Sequence, residues 1–159
     1  MHKKVGTVSE HSSARIQSFA EFWPYYIGEH RKPACRILHF VGTSAFLCAV
    51  IASLALHPVR MGACFVAGLV VGFLARRTEA HRKAAFEAVS IAVLWIIGSP
   101  WIAAGIVSAY FCAWIGHFGV EGNRPATFQY PLWSLFGDFK MVGCMLMGRL
   151  WSGDPLKGA

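Results

Sequence analysis

Three of the seven histidines, His30, His39 and His117, stand where an apolar stretch begins or ends, and Glu121 follows His117 by four residues. Ionisable groups are expensive at the edge of membrane-grade sequence, so residues of this type there mark a site. On a continued helix His117 and Glu121 share one face and could hold one ion between them. His30 and His39 are nine apart, which would put them on opposite sides of one uninterrupted helix. Pro33 breaks that helix, so His30 can fold back toward His39. Two or three imidazoles plus a carboxylate, with coordination positions left open, form a ligand set used by non-haem Fe(II) oxygenases and acceptable to zinc. Composition does not choose between those metals. Arg36 and Arg124 lie beside the proposed ligands, and an arginine fork suits a substrate carboxylate. His2 and His11 in the tail, His57 before a turn proline and His81 in a basic connector carry no such expectation.

The elements that must position these groups are membrane helices. The chain has 159 residues, 55% hydrophobic and only 14% charged, too apolar for an ordinary soluble domain. A net charge of +7 without any nucleic-acid motif fits an anionic membrane surface and excludes nucleic acid as the expected partner. The five cysteines form no C-x-x-C pair and read as small buried hydrophobes. Residues 1–14 are polar and read as a disordered tail, with 15–159 as one membrane domain. Aromatics and basic residues in 15–32 suit an interfacial helix. Apolar runs predict spans at about 37–56, 61–75, 84–98 and 100–118, with Gly98-Ser99-Pro100 splitting the last two. The Cys64-x-x-x-Gly68-x-x-x-Gly72 spacing permits close helix contact. After Pro125 an amphipathic segment, about 128–150, reads as a helix along the interface, because charges interrupt every window of spanning length.

The expected fold class is therefore all-α: a polytopic helical membrane protein with about four transmembrane helices and interfacial amphipathic helices at both ends. The distribution of Lys and Arg puts both termini in the cytoplasm. An even number of spans then brings the start of the first (His30 to His39) and the end of the fourth (His117 to Arg124) to the same face.

"YYIGEHRKPACRILHFVGT" (25–43) paired with "WIGHFGVEGNRPATFQYPLWSLFGDFKM" (114–141) resembles a small membrane-protein family. That family includes the fungal endoplasmic-reticulum 2-hydroxy fatty acid dioxygenase of phytosphingosine degradation, and this chain looks closer to a bacterial branch. The resemblance implies Fe(II) dependence and conversion of a 2-hydroxy acyl chain, with O2, to the fatty acid one carbon shorter. Carried over by position, it implies His30, His39 and His117 as iron ligands and sets Glu121 and Arg124 in the family's G-H to R-P-A block. The fungal branch has His-His where this chain has Glu29-His30, and Gln where it has Ala113. On this reading Glu121 is a fourth ligand or orients an imidazole, Arg124 meets the substrate carboxylate, and the site belongs to an integral protein of a bacterial cytoplasmic membrane. Two rivals stand beside it: a non-catalytic lipid-binding or scaffolding bundle, and a zinc-dependent membrane hydrolase with Glu121 as general base.

Overall fold

The computed structural model describes residues 15–79 and 84–157; the 1–14 tail, and with it His2 and His11, and His81 lie outside them. Among the described residues the α-helices are α1 (Phe19–Gly28), α2 (Pro33–Leu56), α3 (Pro58–Ala75), α4 (Ala84–Gly98), α5 (Trp101–Trp114) and α6 (Pro131–Leu146), and α5 runs on as a π-helical turn, Ile115–Glu121. No strand occurs among them. The protein is all-α, and α2, α3 and α5 with its π turn are long and apolar enough to cross a membrane. The 24 residues of α2 alone reach about 36 Å. At 15 residues, α4 is apolar but shorter.

Two prolines explain where the first spans begin. Pro33 and Pro58 occupy the first turns of α2 and α3, where a missing N–H leaves nothing unsatisfied and φ is preset for the helix. Both helices accordingly start before the apolar runs at 37 and 61. The last span ends later than 118, because the π turn extends it to Glu121.

Small residues set the packing. A Cβ on Gly42 would lie 2.8 Å from Cys112 Cβ, and one on Gly105 would lie 2.9 Å from Ala49 Cβ, so α2 and α5 touch almost backbone to backbone. The spacing noted in α3 serves α4 in the same way: Gly68 faces the Trp95 indole and Gly72 faces Ile91. Large apolar side chains such as Val66, Phe73, Val93, Ile97, Val107 and Phe111 remain exposed on the outside, a lipid-facing surface that a water-soluble domain would not present.

A second, aromatic core joins α1 to α6, where Phe22, Tyr26, Tyr130 and Trp133 are buried together. Gly137 of α6 lies flat against the Tyr26 ring. The polar connector after α3 contributes an unexpected buried group, Glu79, whose Oε1 accepts the Trp133 N–H at 3.1 Å. An anion at a helix start is favoured by the unpaired N–H groups there, and α6 has no side-chain cap of its own. Burial nonetheless pushes the Glu79 carboxyl up to about 7.

Candidate metal centre

The centre is built where α1 turns into α2. The Arg36 guanidinium is fully buried and donates to the carbonyl oxygens of His30 (2.8 Å), Arg31 (2.6 Å), Leu150 (2.6 Å) and Gly153 (3.1 Å), which pins the turn carrying His30 to the C-terminal segment. The Lys32 N–H donates to Glu121 Oε1 at 2.6 Å, and Lys32 Nζ donates to the Val120 carbonyl at 2.5 Å. These bonds fasten the end of the π turn to the start of α2. His117, on that turn, thereby meets His39 of α2 and His30 of the preceding loop.

Each of the three imidazoles has its Nδ1 engaged. His30 Nδ1 lies 2.6 Å from the Tyr26 carbonyl oxygen, His39 Nδ1 lies 2.7 Å from Asp138 Oδ1, and His117 Nδ1 lies 2.7 Å from Asn123 Oδ1. A carbonyl oxygen and a carboxylate only accept, so His30 and His39 carry their hydrogen on Nδ1. The Asn123 amide is oriented by donating from Nδ2 to the Glu29 carbonyl (2.9 Å) and to Glu29 Oε2 (2.8 Å), which leaves its oxygen to accept from His117. In the neutral rings all three Nε2 atoms are then bare lone pairs.

Those lone pairs converge. His30 Nε2 and His39 Nε2 are 3.2 Å apart. The ring centroids lie 4.4, 4.6 and 5.1 Å from one another with interplanar angles of 84°, 72° and 88°. The Cys35 thiol joins the group, and ligand atoms of His30, Cys35, His39 and His117 all lie within 4.8 Å of each other, buried. Facing lone pairs away from water are unfavourable without a cation between them. One bridging proton could serve a single pair and would leave the third nitrogen unmatched. The donor set fits a divalent transition metal, with each imidazole oriented through its far nitrogen, as metal-ligating histidines usually are. Burial, reinforced by His39 and His117, lowers the His30 pKa well below the ordinary imidazole value and keeps that ring in its ligating form.

The residues singled out in the sequence fall into two sets. His30, His39 and His117 come together. Glu121 is outside the converging group; it binds the Lys32 N–H, and Asn123 instead meets His117. Arg36 is engaged by carbonyls, Arg124 is exposed, and neither lines the cavity beside the histidines. Three contributors were not anticipated. Cys35, read as a plain buried hydrophobe, lies in the cluster. Asp138 accepts from His39 and also from the Tyr26 hydroxyl at 2.5 Å. Asn123 reaches His117 because the helix there widens to a π turn, in which the Gly122 and Asn123 N–H groups both return to the His117 carbonyl. A polar residue just beyond a span was a weak signal for Asn123. Asp138 had none stronger than being a lone acid on an otherwise apolar helix face.

His39 and His117 also form one end of a cavity of about 130 Å3 that runs between α2, α4, α5 and α6 and is mostly apolar beyond Tyr26 and Asp138. Fold and site together define a helical protein of membrane type with a buried His/Cys cluster that could hold a metal ion beside a mostly apolar cavity. The chain belongs to the family described as Mpo1-like, 2-hydroxy-palmitic acid dioxygenase Mpo1-like, which it matches over residues 16–150. No curated protein and no solved structure matches it significantly.

Proposed function

We propose that this protein is an iron-dependent dioxygenase that shortens 2-hydroxy fatty acids by one carbon. The observation that carries the reading is the set of three buried imidazoles, each tied at Nδ1 and converging at Nε2, at the polar end of an apolar cavity. The family description names the matching chemistry and an acyl substrate. The overall change, R–CH(OH)–COOH + O2 giving R–COOH + CO2 + H2O, balances without an external reductant. Iron held there supplies the redox chemistry that lets O2 react with a 2-hydroxy acid.

The protein's own groups divide the remaining work. His30, His39 and His117 would hold the ion through Nε2, and Cys35 stands within reach as a further donor. Asp138 and Asn123 fix the tautomers and planes of His39 and His117. Glu121, bonded to the start of α2, holds the turn that carries His117. Arg36 holds the turn that carries His30. Arg124, exposed beside cavity-lining Pro125, serves as a rim charge that attracts the acid head. Mostly apolar side chains line the cavity beyond the reacting end. The excess of Lys and Arg at the ends of the chain supports a cytoplasmic position for this face and both termini, and on this reading the protein sits in a bacterial cytoplasmic membrane with lipid around the spans.

Anaerobic reconstitution with Fe(II), followed by oxygen uptake with 2-hydroxypalmitate, tests the reading. Uptake with pentadecanoate as product, abolished in His117→Ala, is expected. Zinc retention with hydrolysis and no uptake, or no turnover at all, contradicts it.

A further inference from the structure

The cavity does not end at the histidines. On α2 it is lined by His39, Thr43 and Phe46, and on α5 it is followed from Ala113 to Ile106, so that each wall extends seven residues, about 10 Å, away from the centre. Its bore is kept open by small side chains, Ala88 and Ala92 on α4 and Ala109 and Ala113 on α5. About 10 Å from the histidines its lining becomes aromatic. Phe46 stacks on Trp95 at 5.9 Å and 24°, and on Phe139 at 6.3 Å and 22°, while Phe65 stacks behind Trp95 at 5.0 Å. Trp95 has no space to retreat, since a Cβ on Gly68 would already lie 2.2 Å from its Nε1. At the opposite end the only charged or imidazole groups among the described lining residues are His39, His117 and Asp138.

A half-enclosed cavity lined by alanines, polar at the histidines and faced by aromatic hydrocarbon about 10 Å away, matches an unbranched amphiphile lying head to the histidines. We propose that it seats the acyl chain of the substrate and that the Phe46–Trp95 stack is the specificity-determining element for chain length. The proposal rests on the dioxygenase reading for the identity of the head group, and on the cavity alone for the chain. With roughly 1.25 Å of advance per methylene, from a C–C bond near 1.5 Å at the tetrahedral angle, about eight methylenes lie between the centre and the stack. A palmitoyl chain is longer than that, so its middle meets Phe46 and Trp95 and the remainder turns aside there, because the cavity is only half enclosed.

Two measurements on the full-length protein in lipid nanodiscs test this. The first is photo-crosslinking with 2-hydroxypalmitate carrying a diazirine at carbon ten, mapped by peptide mass spectrometry. The label is expected on Phe46, Trp95 or Phe139. Label confined to lipid-facing residues such as Phe111, or no label at all, overturns the proposal. The second is the kcat/KM profile from 2-hydroxyoctanoate to 2-hydroxystearate. Ala92→Leu, which fills the bore, is expected to move the optimum to shorter acids, and Trp95→Leu or Phe46→Leu to longer ones. Each methylene admitted or refused should count for roughly fourfold. Because Ala92→Leu leaves the stack intact, its shift is readable even where a stack variant folds poorly. An unchanged profile in all three variants overturns the proposal. Label at the stack without turnover of any acid would leave the chain seat standing and remove the dioxygenase reading instead.

Discussion

The histidine end and the α3–α4 hairpin are held together by opposite means. Around the histidines, directed hydrogen bonds join elements far apart in the chain, His39 to Asp138, Asn123 to Glu29 and Arg36 to Leu150, and a local one ties His117 to Asn123. In the hairpin, Gly68, Gly72 and Gly98 let neighbouring helices close on Trp95, Ile91 and Met61, and the contacts are almost wholly apolar. The difference follows from what each region must do. Lipid gives apolar side chains no reason to leave it, so the hairpin gains its stability from close fit. A site with three facing lone pairs needs orientation, which close fit alone does not supply.

The comparison predicts different failures in the two regions. Gly68→Val should produce the largest loss of stability, because its Cβ meets the Trp95 indole and the rigid ring has Phe65 and Phe46 on its two sides. Overpacking of this kind costs about 1–3 kcal/mol, read as a lower unfolding midpoint in detergent, with metal content per folded chain unchanged. Asp138→Asn should do the reverse. Iron affinity is expected to fall about 10–100-fold as His39 loses its carboxylate partner, while the unfolding midpoint of the metal-free protein stays close to wild type. Metal titration under anaerobic conditions checks this, and an unchanged affinity would show that His39 is oriented by packing instead. Asn123→Ala removes a neutral acceptor rather than a charged one, so a smaller drop, about tenfold, is expected in the same titration.

Acidity offers a gentler way to separate the regions. The folded pKa of His30 lies well below its ordinary value of 6.5, so above 6.5 both folded and unfolded chains hold it neutral and it has no effect. As pH falls below 6.5 the unfolded chain takes up a proton that the folded one refuses, and stability declines. Glu79 acts in the other sense. Its carboxyl, raised from 4.5 to about 7, keeps its proton when folded, so stability declines as pH rises from 4.5 to 7 and levels off above. Unfolding midpoints measured from pH 5 to 8 should show the upper decline vanish in Glu79→Gln, with the acidic decline retained.

Much of the fold was legible because membrane helices are written in runs of one solvent preference. Gly98-Ser99-Pro100 and the prolines at 33 and 58 divided those runs, and the glycines of α3 announced a close neighbour. The histidines were legible for the complementary reason that an imidazole at the edge of such a run is costly and conspicuous. Asp138 was not, since its partner His39 lies 99 residues away and nothing local to α6 points to it. Glu79 sat in a segment that reads as a solvated connector, and only the start of α6 above it explains its burial. Cys35 looks apolar in sequence until His30 folds back beside it. The π turn leaves no pattern in residue spacing at all, so a helical i, i+4 argument pointed to Glu121 where the widened turn presents Asn123.

The most direct test of the account is a count of bound iron per chain after anaerobic Fe(II) loading and removal of free metal, in wild type and in His30→Ala, His39→Ala and His117→Ala. The tri-histidine centre predicts one iron per wild-type chain and a large loss in each variant, with helical content preserved. Equal iron in wild type and variants, or none in the wild type, would contradict it.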